Sequence, residues 1–170
     1  NLSARQVHAS GLFRSVSTII AETGMAPELL ELELTESILM NPEEPLIEEM
    51  RLLRQLGVHF AIDDFGAGYS SMNDVRRLPI GTVKIDRSFV RGVADNPSDA
   101  GVTKAILAMA HTLGLDVVAE GVETVEQRAF LQAANCPRLQ GYLFGPAVPA
   151  EMMEFMLRTG RTATRNAGSR

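Results

Sequence analysis

The sequence predicts an α/β fold built from about five parallel β/α units, and three observations predict it. Apolar positions switch repeatedly between the period of a helix and that of a strand. Short breaks separate these segments without hairpin turns, so successive strands pair in parallel through right-handed crossovers. Five successive strands each deliver a polar or ionisable residue at or near the C-terminal end. Two architectures satisfy all three, a doubly wound sheet and a (β/α)8 barrel. No Gly-rich phosphate fingerprint follows any strand, which disfavours the dinucleotide-binding version of the former.

The elements follow in order. Ser3 and Gln6 form a capping-box pair before a helix running to about Thr23, which Gly24 and Pro27 end. Leu30, Leu32 and Leu34 alternate with Glu31 and Glu33, the pattern of a strand. Asn41 caps the next helix with Pro42 in its first position. Glu43 and Glu44 at its start and Arg51 and Arg54 near its end match the macrodipole, and Gly57 closes it. Residues 58–62 are a strand, followed by a loop rich in Gly and Ser and a short helix from Asn73 to Leu78. Residues 82–85 form the third strand, and Ser98 or Asp99 opens a helix that ends at Gly114. Residues 116–119 form the fourth. Thr124 and Gln127 make a second capping box for a helix to about Ala134. Residues 138–142 are the last strand, and Pro149 opens a final helix ending near Leu157. The tail from Arg158 holds four arginines and no acid among Gly, Ser and Thr, and reads as disordered.

The chain has 170 residues, 45% apolar and 22% charged, the composition of a soluble globular domain with a sizeable core. It opens on Asn1 rather than Met, so it reads as a piece of something longer. No stretch approaches the roughly 18 apolar residues of a membrane span, and no signal-peptide pattern is present. A net charge of −5, no basic stripe and 5% aromatics argue against a DNA or RNA groove. A small anionic substrate stays open, because a bound metal can supply the positive charge. Cys136 is the single cysteine, so no internal disulfide forms, and a reducing cytoplasm fits. His8, His59 and His111 lack zinc-ligand spacing. Arginine occurs 14 times and lysine only at Lys84 and Lys104. A chain that otherwise uses arginine reserves lysine where a compact ammonium is needed.

The strand ends carry the chemistry. The first presents Glu33, with Thr35 and Glu36 beyond it; the second ends in Asp63 and Asp64. The third presents Lys84 and Asp86, the fourth ends in Glu120 with Glu123 beyond, and the fifth presents Gln140. One such residue means only that the chain is leaving the core; five in register point to a mouth of the kind where barrel active sites lie. Clustered carboxylates repel one another unless a cation sits among them. Oxygen donors without Cys or His suit Mg²⁺, Mn²⁺ or Ca²⁺ rather than zinc. One aspartate of the Asp63–Asp64 pair bridging two cations would suit two-metal hydrolysis, with Lys84 orienting a water or stabilising developing negative charge.

These segments resemble a known family. The segments 31–37 (ELELTES), 63–71 (DDFGAGYSS), 84–90 (KIDRSFV), 119–124 (AEGVET) and 140–144 (QGYLF), together with the opening Asn1-Leu2-Ser3, are similar in order to the EAL domain over residues 1–157. The resemblance implies an incomplete (β/α)8 barrel whose first strands are missing, followed by the Arg-rich tail 158–170. It implies metal-dependent hydrolysis of one phosphodiester bond of the bacterial second messenger cyclic di-GMP to the linear dinucleotide, with Mg²⁺ or Mn²⁺. By position it makes Asn1, Glu33, Asp63 and Asp64 metal ligands and Lys84 and Glu120 catalytic. Gln140, Glu123 and Asp86 become supporting or substrate-binding residues, and Glu36 the anchor of the glycine loop. It also implies a cytoplasmic domain, in a parent that other domains can anchor to a membrane, with a homodimer and an upstream sensory or GGDEF-type domain as partners.

The sequence departs from the family pattern in three places. The Glu-Ala-Leu motif, whose Glu is a metal ligand, is absent, so the chain alone is expected to bind Mg²⁺ weakly and to be inactive. Ala67 stands where Thr is usual, and Gly145-Pro146-Ala147 follows Phe144 where Arg-Pro is usual. The second reading is a catalytically silent module that binds the nucleotide or docks a partner, and an intact Glu-Ala-Leu upstream of Asn1 separates the two. A third, a barrel enzyme acting on a carbon acid with a Lys base and Mg²⁺, fits the acids but not the full run of motifs.

Overall fold

A computed structural model describes residues 1–8, 11–39, 43–68 and 72–160, without the side chains of His8, Ser37, Leu39, Met72, Asn73 and Asp74. The predicted Asn41 cap, the loop residues 69–71 and most of the Arg-rich tail lie outside the described residues. Five strands, β1 (Glu31–Thr35), β2 (His59–Phe65), β3 (Thr82–Ile85), β4 (Asp116–Ala119) and β5 (Arg138–Leu139), form one parallel sheet in sequence order. The connections are helical, as the sequence predicts. The helices are α1 (Ala4–His8), α2 (Leu12–Thr23), α3 (Glu44–Leu56), α4 (Met72–Arg77), α5 (Arg87–Gly92), α6 (Pro97–Leu113), α7 (Val125–Ala133) and α8 (Ala150–Thr159).

Burial of apolar helix stripes against the sheet holds the layers together, with α8 contributing no buried residue. Leu34, Phe60, Ile62, Val83 and Ile85 of the strands meet Ile47, Met50, Leu53, Val90 and Leu131 of the helices in one core cluster, all of them essentially excluded from solvent. Fully burying a side chain of this size contributes about 1.5–3 kcal/mol.

The structure redraws several boundaries, among them the end of the second strand, which runs on to Phe65. The long first helix divides into α1 and α2, because Gly11 takes a left-handed φ of 97° at the start of α2. Its capping box forms as expected, with Gln6 Oε1 accepting from Ser3 N at 3.0 Å and Ser3 Oγ from Gln6 N at 3.4 Å. The second predicted helix begins at Glu44 with Glu43 as N-cap, and its early proline is Pro45. The sequence reading did not include α5: Asp86, read as a strand-end acid, caps this extra helix by accepting from Ser88 N at 2.8 Å. For α6 the cap is Asn96, so the helix starts at Pro97 rather than Ser98 or Asp99. The predicted strand 138–142 keeps ladder geometry only through Leu139. Beyond it the chain still pairs, Gln140 N donating to Ala119 O at 2.9 Å and Val122 N to Gln140 O at 3.0 Å. The final helix runs to Thr159, two residues into the predicted tail.

Gly141 explains the end of β5. A Cβ at this position would fall onto the backbone of Val122. Backbone cannot swing aside as a side-chain tip can, so Gly141→Ala is expected to lower unfolding free energy by about 1–3 kcal/mol or more. Urea denaturation of the two proteins measures it; an unchanged midpoint would show that the Val122 contact is slack.

Candidate active site

The β2 ladder contains the feature on which the site turns. Ile62 pairs with Val83 and Phe65 with Ile85, so β2 spends one residue more than β3 over the same stretch. This β-bulge falls on Asp63 and Asp64, and Asp64 takes a left-handed φ of 54°. A regular strand would point the two carboxylates to opposite faces; the bulge lets both address one side. One carboxylate oxygen each of Asp63, Asp64 and Glu120 lie within 4.8 Å of one another.

Lys84 stands at the centre. Its Nζ lies 2.7 Å from Glu120 Oε1, 2.8 Å from Glu33 Oε1 and 3.0 Å from Asp63 Oδ1, and only 7% of its side chain is exposed. Burial works against its charge, but the hydrogen bonds to Glu120, Glu33 and Asp63 outweigh it and hold the ammonium pKa well above the usual lysine value. Lys84 therefore stays protonated at neutral pH and acts as a donor, not a base.

The acids differ in environment. Burial raises the Glu120 carboxyl, with the charges of Asp63 and Glu33 adding to it, against the lowering effect of Lys84. Partial desolvation, the hydrogen bond to Asp86 and the charges of Asp63 and Asp86 raise Asp64. Asp86 moves the other way: desolvation opposes its charge, but bonds from Ser88 and the proton of Asp64 hold it low. The two neighbouring carboxyls are thus shifted in opposite directions.

The remaining predicted residues take flanking places. Glu36 is buried, and its Oε2 accepts from Gly66 N at 3.0 Å and Gly68 N at 2.9 Å, fastening the loop that leaves Asp64. Asn1 is exposed and reaches the edge of β1 through the hydrogen bond of Leu2 N to Glu33 O, 2.8 Å. Gln140 and Glu123 are exposed on the rim. Glu33 bonds to Lys84 and stands outside the close oxygen trio, whereas Glu120 stands in it. Sequence reading did not find Gln127 as part of this region beyond its capping box. Its buried amide accepts from Glu123 N at 2.7 Å and donates to Arg91 O at 3.2 Å. A glutamine in a capping box signals only the first kind of bond.

The donor set fits a hard divalent cation. It is all oxygen, and several carboxylates face one ammonium. A parallel β/α sheet with such a cluster at the C-terminal ends of its strands is the active-site half of a barrel-type scaffold.

The family model described as the EAL domain matches residues 1–147, and the chain belongs to that family. The cyclic di-GMP phosphodiesterase NbdA of Pseudomonas aeruginosa is 43% identical over 161 residues, which cover 95% of this chain and 21% of NbdA. MucR of the same bacterium, a bifunctional diguanylate cyclase/cyclic di-GMP phosphodiesterase, is 42% identical over 153 residues, covering 90% and 22%. The chain spans about a fifth of the length of the curated relatives it matches. Among solved structures, the PaMucR phosphodiesterase in complex with c-di-GMP superposes with a TM-score of 0.85 at 42% identity, over 90% of this chain and 62% of that one. The EAL domain of Mycobacterium smegmatis DcpA gives 0.88 at 38% identity, over 95% and 72%. Klebsiella pneumoniae BlrP1 with manganese and cyclic di-GMP gives 0.75 at 29% identity, over 83% and 36%.

Proposed function

We propose that the domain to which this chain belongs hydrolyses one phosphodiester bond of cyclic di-GMP, giving the linear dinucleotide, with Mg²⁺ or Mn²⁺. The observation that carries this reading is Lys84 Nζ within 3.0 Å of three carboxylates beside the Asp63–Asp64–Glu120 trio. Two relatives named as cyclic di-GMP phosphodiesterases support it.

Asp63, Asp64 and Glu120 would hold the cation, with Glu33 and Asn1 as further ligands from β1 and its edge. The cation supplies Lewis acidity toward the phosphodiester and makes a nearby water easier to deprotonate. Lys84 fixes Glu33, Asp63 and Glu120 and donates toward the attacking water or the charge that develops on phosphate oxygen. Glu120, with its raised pKa, is the carboxylate suited to take the proton of the water. The water oxygen would bond to phosphorus as one P–O ester bond breaks, and the leaving oxygen would take up, in net, the proton that Glu120 removed from the water. Asp86 steadies Asp64, Glu36 holds the glycine loop, and Gln140 and Glu123 line the rim against the nucleotide.

No helix among the described residues is long and apolar enough to cross a membrane. A cytoplasmic location, a homodimer and an upstream sensory or GGDEF-type domain belong to the same proposal, and the bifunctional name of MucR supports the last of these.

The test is hydrolysis of cyclic di-GMP by the intact parent with Mg²⁺, Mn²⁺ or Ca²⁺, followed by chromatography. Conversion with the first two and not with Ca²⁺ is expected; no conversion with any of them overturns the reading. The 170-residue chain alone is expected to bind Mg²⁺ weakly, because three gathered oxygens fall short of an octahedral shell and the ammonium of Lys84 competes for two of the same carboxylates. Tight, stoichiometric binding by isothermal titration would contradict this.

A further inference from the structure

A groove of about 670 Å³ opens between α6 and the end of α7, over the start of β4. Asp116, which begins β4, stands on its wall, whereas Glu120 follows the other end of that strand, about 13 Å further along the chain. β4 lies between β3 and β5, so the groove is not an open edge of the sheet.

The sequence builds one wall from a single helical stripe. Lys104, Leu107, Ala108, His111 and Thr112 recur at i, i+3, i+4, i+7 and i+8 along α6, a face about 12 Å long. Buried Leu107 and Val117 give the groove apolar surface, and Ala134 and Pro137 add to it from the α7 side.

The polar groups select the occupant. Lys104 Nζ lies 5.3 Å from the centre of the Phe130 ring on α7, which holds the ammonium over the gap between the helices. Among the described residues no ion pair engages Lys104. The Asp116 carboxylate accepts from Arg138 Nη2, so its charge is met in place and does not cancel that of Lys104. His111 keeps at least one ring N–H whatever its protonation, and Asn135, at a left-handed φ of 58° just after α7, adds an amide.

Apolar surface beside one unpaired ammonium and a few neutral donors is the chemistry of a small-ligand site, and the volume falls within the range of about 300–1,000 Å³ for such sites. An inorganic anion would leave the apolar wall wet, and a cation would meet Lys104. We propose that this groove binds a small amphiphilic organic anion, a carboxylate on an aromatic or short aliphatic body, with Lys104 pairing the carboxylate. The site is separate from the acidic cluster and does not depend on the reaction proposed there.

The test titrates the intact parent with 3-phenylpropionate and with its uncharged counterpart 3-phenylpropan-1-ol, followed by NMR relaxation of the ligand. A Kd of about 4 mM or tighter is expected for the carboxylate, from its size. The alcohol should bind about fivefold more weakly. Lys104→Gln should erase that difference, and Lys104→Arg, which keeps both the charge and the contact with Phe130, should preserve it. Ala108→Phe fills the groove from an exposed position and should remove binding of both ligands. A carboxylate that binds more weakly than about 40 mM, that binds no better than the alcohol, or that is indifferent to Ala108→Phe overturns the site. So does a parent dimer that Ala108→Phe splits in light scattering, because a second copy then covers the groove.

Discussion

Lys84→Met in the intact parent is expected to abolish hydrolysis and to lower stability by about 3–5 kcal/mol, the cost of leaving buried charges without their partner. Methionine keeps the unbranched stem and lacks only the terminal ammonium position, so the loss reads out the ammonium. Glu33, Asp63 and Glu120 then face one another with nothing positive between them. The sign with pH follows from the shifts. The Lys84 pKa is raised, so its contribution is complete below the ordinary lysine value and is lost only as pH rises through the higher folded one. The Glu120 pKa is also raised, so ionising it costs stability as pH climbs through the carboxylate range. The deficit of Lys84→Met should therefore be full at neutral pH and shrink as pH falls and Glu120, its carboxyl raised, takes a proton. Thermal melts across that range measure it, and a deficit independent of pH would make Lys84 a packing residue. Lys84→Arg keeps the charge but not the compact donor, and a displacement of about 1 Å is expected to cost roughly a hundredfold in turnover. Near-parental turnover in Lys84→Arg would reduce the lysine to an ion-pair partner.

Glu36→Ala is the second large effect expected. The carboxylate accepts two backbone amides of the glycine loop from inside the protein, and hydrogen bonds to a charged group contribute about 1.5–3 kcal/mol each. Without it Gly66 N and Gly68 N lose an acceptor, and the backbone just after Asp64 loses its anchor. Stability should fall by more than 2 kcal/mol, and turnover by a hundredfold or more, because Asp64 is displaced with the loop. Glu36→Gln, which keeps one acceptor oxygen, should fall between Ala and the parent in both measurements. Equal stability of the Ala variant and the parent would show that the loop holds itself.

How much of this was legible in the sequence depends on how local each signal is. The strands β3 and β4 begin and end where the sequence places them, because apolar runs meet a glycine or a charge at both ends. The convergence of Glu33, Asp63, Lys84 and Glu120 was legible once parallel pairing was accepted, since parallel strands bring like ends together. That Glu33 spends itself on Lys84 was not, because it depends on distances across three strands. Nor was the extra residue in β2, which exists only relative to the register of β3. Asp86 misled for a related reason: an acid at a strand end and an acid capping a helix look alike until Ser88 is seen to turn back on it.

The bulge at Asp63 and Asp64 bears on what happens when the gene drifts. A regular ladder is the stabler arrangement for any β-strand, and removing one residue here would restore it. The residue lost would be one of the two aspartates on which the bulge falls, and the paired carboxylates would go with it. Lineages screened only for thermal robustness should therefore tend to straighten this strand and fall silent, while those that must keep turning over substrate retain the kink.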